Sequence, residues 1–211
     1  WDRSYVTRIQ DKARQLRGTR FARYTTSVVS LIFTWGMARG LADCNPTEGV
    51  EKVRRPKDRP RANRPWTDAE WNIVWKRATP HVRAILALAG VLGWRGGEAI
   101  TAPRNCYDRK TRTITRTSSK SGRIVTSTVP EQVAKALNAL FPHDAITLLV
   151  NSRGKPWTEN GFRVSVFKLL RQLEREKLVQ KGLTIHGLRH TVATRARELG
   201  FTPRAIADTL G

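Results

Sequence analysis

Near the end of the chain, His186 and Arg189 stand three residues apart at the head of a helical pattern. Positions i and i+3 of a helix share a face, so an imidazole sits beside a permanent cation with a planar fork of donors. That pair suits a phosphate, whose oxygens can accept two parallel N–H bonds from one guanidinium. A second arginine, Arg95, stands in Gly93-Trp94-Arg95-Gly96-Gly97-Glu98, just after the longest apolar run, Ala84 to Leu92. An arginine at the end of a buried helix is costly without partners. Glu98, three positions on, can orient it and leave part of its fork for a phosphate. The same spacing also suits a purely structural ion pair, so this motif alone decides nothing.

The surrounding charge agrees with an anionic partner. The 211 residues carry a formal net charge of +22. It is spread along the chain, with 15 basic against 6 acidic residues in positions 1–64 and 24 against 11 in positions 65–211. A solubility tail would gather charge at one end, whereas two basic halves suit contact with a polyanion along the whole length. A small structural protein of the histone or ribosomal kind would share the charge. Seven tryptophans and 39% apolar residues point instead to a folded body of enzyme size. Cys44 and Cys106 are too few and too far apart for a disulfide framework or a zinc site, and both are expected to be small buried hydrophobes. No metal or other cofactor is expected, because no Asp, Glu, His or Cys cluster has ligand spacing. The run Ala84–Leu92 is far too short to span a bilayer. The chain opens on Trp1 inside a helical pattern, and its sole methionine is Met37. No secretory signal is seen, and both ends are expected to be cut from a longer protein.

Periodicity places these residues on elements. Tyr5, Ile9, Ala13 and Leu16 make a helical stripe, and Gly18-Thr19 breaks it. A second helix is expected from Phe21 to Arg39, with Val28, Leu31, Ile32, Trp35 and Met37 or Ala38 on its buried side and Gly40 as its cap. Asn45-Pro46 then turns the chain toward Val53. The segment Arg54–Pro65 holds three prolines, five arginines, one lysine and one aspartate, the composition of a stiff cationic linker. Its Arg54, Arg55, Lys57, Arg59, Arg61 and Arg64 are expected to lie along phosphates. Thr67 and Glu70 form a capping box opening a helix to Ala78. Further helices are expected over His81–Leu92, Glu131–Phe141, Thr158–Lys177, His186–Leu199 and from Pro203. The Thr-, Ile- and Val-rich stretch Thr113–Val129, around Lys120-Ser121-Gly122-Arg123, is expected to be a β-hairpin. The class is mainly α with a small antiparallel β-sheet (α+β), in a helical domain over residues 1–53, a linker over 54–65 and a larger domain over 66–211.

Three of these texts resemble one family, the tyrosine recombinases of the phage-integrase type. Gly-x-Arg with an acid three positions later resembles its first box. His186-Gly187-Leu188-Arg189-His190, followed through Thr191 and Gly200 to Leu210-Gly211, resembles its second. The stretch from Thr25 to Val53 resembles the family's core-binding domain, a small helical bundle. The resemblance implies that Arg95 and Arg189 clamp the scissile phosphate, that Glu98 supports Arg95, and that His186 contacts the phosphate and assists proton transfer. His190 takes a packing or supporting part. The family places a lysine in a β-turn, which implies Lys120 as the acid that protonates the leaving 5′-oxygen. Arg123 stands close by as a competitor for that part and as a DNA contact.

In this family a tyrosine attacks the phosphate and a 3′-phosphotyrosine link conserves the bond energy until a second strand reverses the step, with no metal. Only Tyr5, Tyr24 and Tyr107 are present, and none follows the second box. The nucleophile is therefore expected beyond Gly211. The resemblance implies double-stranded DNA at an attachment or recombination site as partner, a tetramer on DNA for the longer protein, a monomer for these residues, and a cytoplasmic setting in a bacterium or phage-infected cell. These residues are expected to bind DNA without cleaving it. Two other readings stand beside this one: a type IB topoisomerase, and a non-catalytic DNA-binding decoy of the same fold.

Overall fold

A computed structural model describes residues 1–54, 63–117 and 122–210. The chain divides into two compact units, Trp1–Pro60 and Arg61–Gly211. Lys120, and Arg55, Lys57, Arg59 and Arg61 of the basic stretch, lie outside the described residues.

The first unit is built on two packed helices, α1 (Arg3–Arg17) and α2 (Thr19–Met37). Asp2 caps α1 by accepting the Tyr5 N–H at 2.8 Å. Gly18 separates the helices at φ +82° and ψ 179°, a backbone region open only to glycine. Val6, Ala13 and Ala22 are buried between them. Asn45 fastens the following turn to α2. Its amide nitrogen donates to the Ser30 carbonyl and to the hydroxyls of Ser30 and Thr34, while its Oδ1 accepts from Thr47. The expected buried stripe of α2 is corrected: Val28, Leu31, Ile32, Trp35 and Met37 are all exposed, Leu31 at 70% and Trp35 at 52%. The close contacts of α2 run through Ala22 and Gly36, residues small enough for another backbone to approach. Cys44 is likewise exposed rather than buried.

The second unit comprises the helices α3 (Asp68–Arg77), α4 (Pro80–Val91), α5 (Gly96–Thr101), α6 (Glu131–Asn138), α7 (Glu159–Arg175), α8 (Ile185–Glu198) and α9 (Pro203–Leu210) and an antiparallel sheet of β1 (Tyr107–Asp108), β2 (Thr113–Thr117) and β3 (Ile124–Thr128) in that order. The expected class, helical with a small antiparallel sheet, is what the chain forms. The register pairs Thr113 with Thr128 and Thr117 with Ile124. Helix α4 is the hub. Its residues Ala84–Ala89 are entirely buried, and α5, α6, α7 and α8 all pack on it. Gly90 lets the Trp71 ring lie against it, since a Cβ there would stand 2.3 Å from that ring.

The start of the unit is held by one carboxylate. The Thr67 hydroxyl accepts the Glu70 N–H at 3.2 Å and Glu70 Oε2 accepts the Thr67 N–H at 3.0 Å, which is the expected capping box. Glu70 also accepts both terminal nitrogens of Arg64, at 2.9 and 2.5 Å, and the Gln180 N–H at 3.2 Å. Arg64, expected among the linker's phosphate contacts, is thus a fastener of the fold that also donates to the carbonyls of Pro65, Gln180 and Lys181. Burial alone would raise the Glu70 carboxyl, but the Arg64 guanidinium and the N–H groups of Thr67 and Gln180 outweigh it and bring it down to about 2. A depressed carboxyl contributes stability above its unfolded value, and that contribution is lost as pH falls toward the folded value. Glu70→Gln is therefore expected to lower unfolding free energy by roughly 3 kcal/mol at neutral pH, the equivalent of its shift. Urea melts should show the parent losing stability between about pH 5 and pH 2 more steeply than the variant; parallel losses would assign the acid sensitivity elsewhere.

Candidate anion-holding site

Helix α4 ends at Leu92, and Gly93, at φ +69°, turns the chain sharply. The Trp94 N–H returns to the Leu88 carbonyl at 3.1 Å and the Trp94 side chain is buried. This sets Arg95 at the N-cap of α5, with Glu98 at the third helical position. The Glu98 carboxylate accepts the Arg95 backbone N–H at 3.0 Å through Oε2 and Arg95 Nη1 at 2.6 Å through Oε1. An acid in the first turn is also favoured by the helix dipole. The Arg95 side chain is 28% exposed, so it remains reachable from solvent.

A second guanidinium shares the same carboxylate. Arg116 of β2 donates from Nη1 to Glu98 Oε2 at 3.0 Å. Its Nη2 donates to the carbonyls of Thr209 and Leu210, at 3.0 and 2.7 Å. Arg116 belongs to none of the motifs that mark the other residues of the site. The signal was present in the alternation Thr113-Ile114-Thr115-Arg116-Thr117, where an arginine stands in phase with the inward Ile114. Burial alone would raise the Glu98 carboxyl, but its hydrogen bonds from Arg95 and the charges of Arg116 and Arg95 hold it below the usual carboxylate range.

Arg189 arrives from α8. Thr184 caps that helix by accepting the Gly187 N–H at 2.9 Å. Gly187 is required where it stands, because a Cβ there would lie 2.5 Å from the Arg64 carbonyl oxygen. Trp66 locks the helix further, donating from its indole to the Thr184 carbonyl at 2.9 Å and from its backbone to the Thr191 hydroxyl at 2.8 Å. Arg189 Nη1 then donates to the Gly93 carbonyl at 2.8 Å, two residues before Arg95. Burial, and then the charges of Arg95 and Arg116, bring its guanidinium down to about 10. That depression reports crowded cations in a partly dry place.

His186 lies one turn from His190, ring edge to ring face at 5.0 Å. Both are exposed, so this side of the site is open. Partial desolvation, followed by the charges of His190, Arg189 and Arg95, holds the His186 imidazolium below its usual range. The ring is therefore neutral at neutral pH and offers one donor and one acceptor. Arg95, Arg189, His186 and Glu98 thus share one region although they come from residues 95–98 and 186–189 of the chain. Three arginines around one carboxylate leave an excess of positive charge, and the groups that reach solvent are the partly exposed Arg95 and Arg189 and the exposed His186. Such a place can hold a tetrahedral anion by several charge-assisted hydrogen bonds.

The remaining expected contacts are dispersed. Arg123 is exposed and paired with Asp208 of α9, and Arg54 is exposed in the first unit. Cys106 is half-buried, and burial pushes its thiol up to about 11. Among the described residues, no helix is long and apolar enough to cross a membrane.

The phage integrase family matches residues 72–211. A tyrosine recombinase XerC of Roseiflexus castenholzii is 29% identical over 215 residues, covering 93% of this chain and 67% of the relative. A tyrosine recombinase XerD of Halalkalibacterium halodurans is 34% identical over 93 residues, 43% of this chain and 29% of that protein. Among solved structures, a lambda integrase tetramer bound to a Holliday junction superposes with a TM-score of 0.78 at 16% identity, over 100% of this chain. The Tn1549 transposon integrase in complex with circular intermediate DNA gives 0.76 at 18% identity, again over 100% of this chain. The chain spans 63% of the lambda integrase chain and 77% of the transposon integrase chain. At such identities the structural likeness speaks for the fold, while the family match over residues 72–211 settles descent: the chain belongs to the phage integrase family of tyrosine recombinases.

Proposed function

We propose that this chain is the core-binding and catalytic part of a site-specific DNA recombinase, with the first unit as a DNA-gripping helical domain, the basic stretch 54–65 as a linker along phosphates, and the second unit as the catalytic domain. The observation that carries the proposal is the assembly of Arg95, Arg189 and His186 on one open side of the second unit, around Glu98. A phosphodiester seated there receives N–H bonds from both guanidiniums on its non-bridging oxygens, and the neutral His186 adds a third donor. These interactions strengthen as phosphorus becomes five-coordinate and its equatorial oxygens gain charge.

Cleavage then needs a nucleophile and an acid. A tyrosine beyond Gly211 forms the new P–O bond and gives up its phenolic proton with the help of His186. The bond to the 5′-oxygen breaks, and that oxygen takes a proton from the hairpin, from Lys120 or Arg123. The 3′-phosphotyrosine link keeps the phosphodiester's free energy, so the 5′-hydroxyl of another strand can reverse the step. The 211 residues alone bind duplex DNA without cutting it, as a monomer. Their own tyrosines support this, since Tyr5 and Tyr24 stand in the first unit and Tyr107 is buried in β1. The longer protein works as a tetramer on paired sites in the cytoplasm.

Binding of duplex DNA by the 211 residues should weaken steeply with salt, log affinity falling by about 0.9 per phosphate neutralised against log salt concentration. A flat salt profile in a filter or fluorescence titration would contradict the electrostatic basis of the reading. A longer chain carrying the expected tyrosine should be trapped covalently on a nicked suicide duplex. Arg95→Ala and Arg189→Ala should each lower trapping by at least about a hundredfold, the scale of losing one oxyanion donor, with duplex affinity largely kept; undiminished trapping would remove that arginine from the site. In the same assay, Lys120→Ala and Arg123→Ala should differ widely in rate, and the larger defect identifies the acid. Equal small defects would place the acid outside the hairpin.

A further inference from the structure

Arg116 has no part in the reaction described above, yet it is the most deeply buried cation of the site. Its side chain is 4% exposed. Its terminal nitrogens are occupied by Glu98 Oε2 and by the Thr209 and Leu210 carbonyls. Such a fork cannot also reach a DNA strand, so its contribution must pass through its partners. On one side that partner is the carboxylate that holds Arg95. On the other it is the Thr209 and Leu210 carbonyls of α9, which accept its second terminal nitrogen.

The end of α9 reaches the second arginine as well. Leu210 is 8% exposed and packs on Gly93, where an added Cβ would stand 2.3 Å from Leu210 Cδ2. The Gly93 carbonyl is the acceptor of Arg189 Nη1. The last turn of α9 therefore touches the supports of both arginines, one through the Leu210 carbonyl, Arg116 and Glu98, the other through the Leu210 side chain and Gly93. Packed contacts of this kind hold discrete arrangements and transmit a displacement instead of absorbing it.

We infer that Arg116 is a positioning residue that couples the docking of the last turn of α9 to the phosphate-holding geometry of Arg95. The inference rests on the reading of Arg95 as part of a phosphate pocket. Coupling is reciprocal: if a docked α9 favours phosphate binding, bound phosphate must steady α9 by the same factor. Purely structural burial makes a different demand, because replacing a buried ionic group by an apolar one of similar size can leave a fold as stable or more so.

The test uses the 211-residue chain, inorganic phosphate as probe, the Nε–H resonances of Arg95 and Arg189 as reporters of the pocket, and hydrogen exchange at the Thr209 and Leu210 amides as reporter of α9. In the parent, phosphate should shift both arginine resonances and slow exchange at α9. In Arg116→Met and Arg116→Lys, phosphate affinity should fall roughly tenfold, within the usual span of coupling between sites, and phosphate should no longer slow exchange at α9. The lysine variant keeps the charge but replaces the planar two-nitrogen fork that spans Glu98 and the two carbonyls by a single nitrogen, and it carries the test alone should the methionine variant fail to fold. Parent-like affinity in the lysine variant, or phosphate-dependent slowing retained in a folded variant, would overturn the role of Arg116 while leaving the pocket intact. A parent whose Arg95 resonance ignores phosphate would instead refute the pocket itself.

Discussion

Like charges crowd together in the second unit, and one carboxylate makes that possible. Two unit charges about 4 Å apart repel by about 4 kcal/mol at the effective dielectric of a protein surface. Arg95 stands close enough to lower the Arg116 and Arg189 guanidiniums, Arg116 lowers Arg189 further, and among the described residues Glu98 is the acid that offsets them. It does so with both oxygens, accepting from Arg95 twice and from Arg116 once. Backbone carbonyls of Gly93, Thr209 and Leu210 take up further donors. Carbonyls satisfy hydrogen bonds without cancelling charge. The cluster therefore stays cationic on a side that is open to solvent.

The rest of the second unit serves to bring those carbonyls and side chains to one point. Helix α4 is apolar on every side, so four helices can pack on it and its C-terminal turn becomes a fixed point. Small residues set the closest approaches: Gly90 under Trp71, Gly96 under Phe162, Gly187 against the Arg64 carbonyl. Residues 64–70 then tie the start of the unit to α8 through Trp66 and to the segment before α8 through Arg64 and Glu70. In consequence α8 cannot slide without breaking buried hydrogen bonds, and Arg189 keeps its aim at Gly93.

The first unit follows a different economy of contact. Its two helices meet through Val6, Ala13 and Ala22 and leave the larger side chains of α2 in solvent. Periodicity correctly places those large residues on one face of a helix. What it cannot tell is whether that face meets another element, because an amphipathic stripe has the same spacing whether or not anything covers it.

The elements of the second unit were legible because each rests on short-range chemistry. The Thr67–Glu70 box, the proline opening α4, the glycine closing it and the alternation of β2 and β3 are decided within a few residues of chain. Spacing also paired Arg95 with Glu98, and His186 with Arg189, within two short motifs; that the two motifs belong together was implied by the family resemblance, not by spacing. Arg116 was not legible, although its inward phase was written beside Ile114, because a strand's alternation does not say what waits on the buried side. Nor was the part of Arg64, which stands in a stretch of linker composition but which, besides Glu70, also reaches the Gln180 and Lys181 carbonyls more than a hundred residues away. Sequence determined which groups could bind an anion, through local spacing and residue type; tertiary structure alone decided which cations share a carboxylate, because burial and long-range contact exist only once the chain has closed on itself.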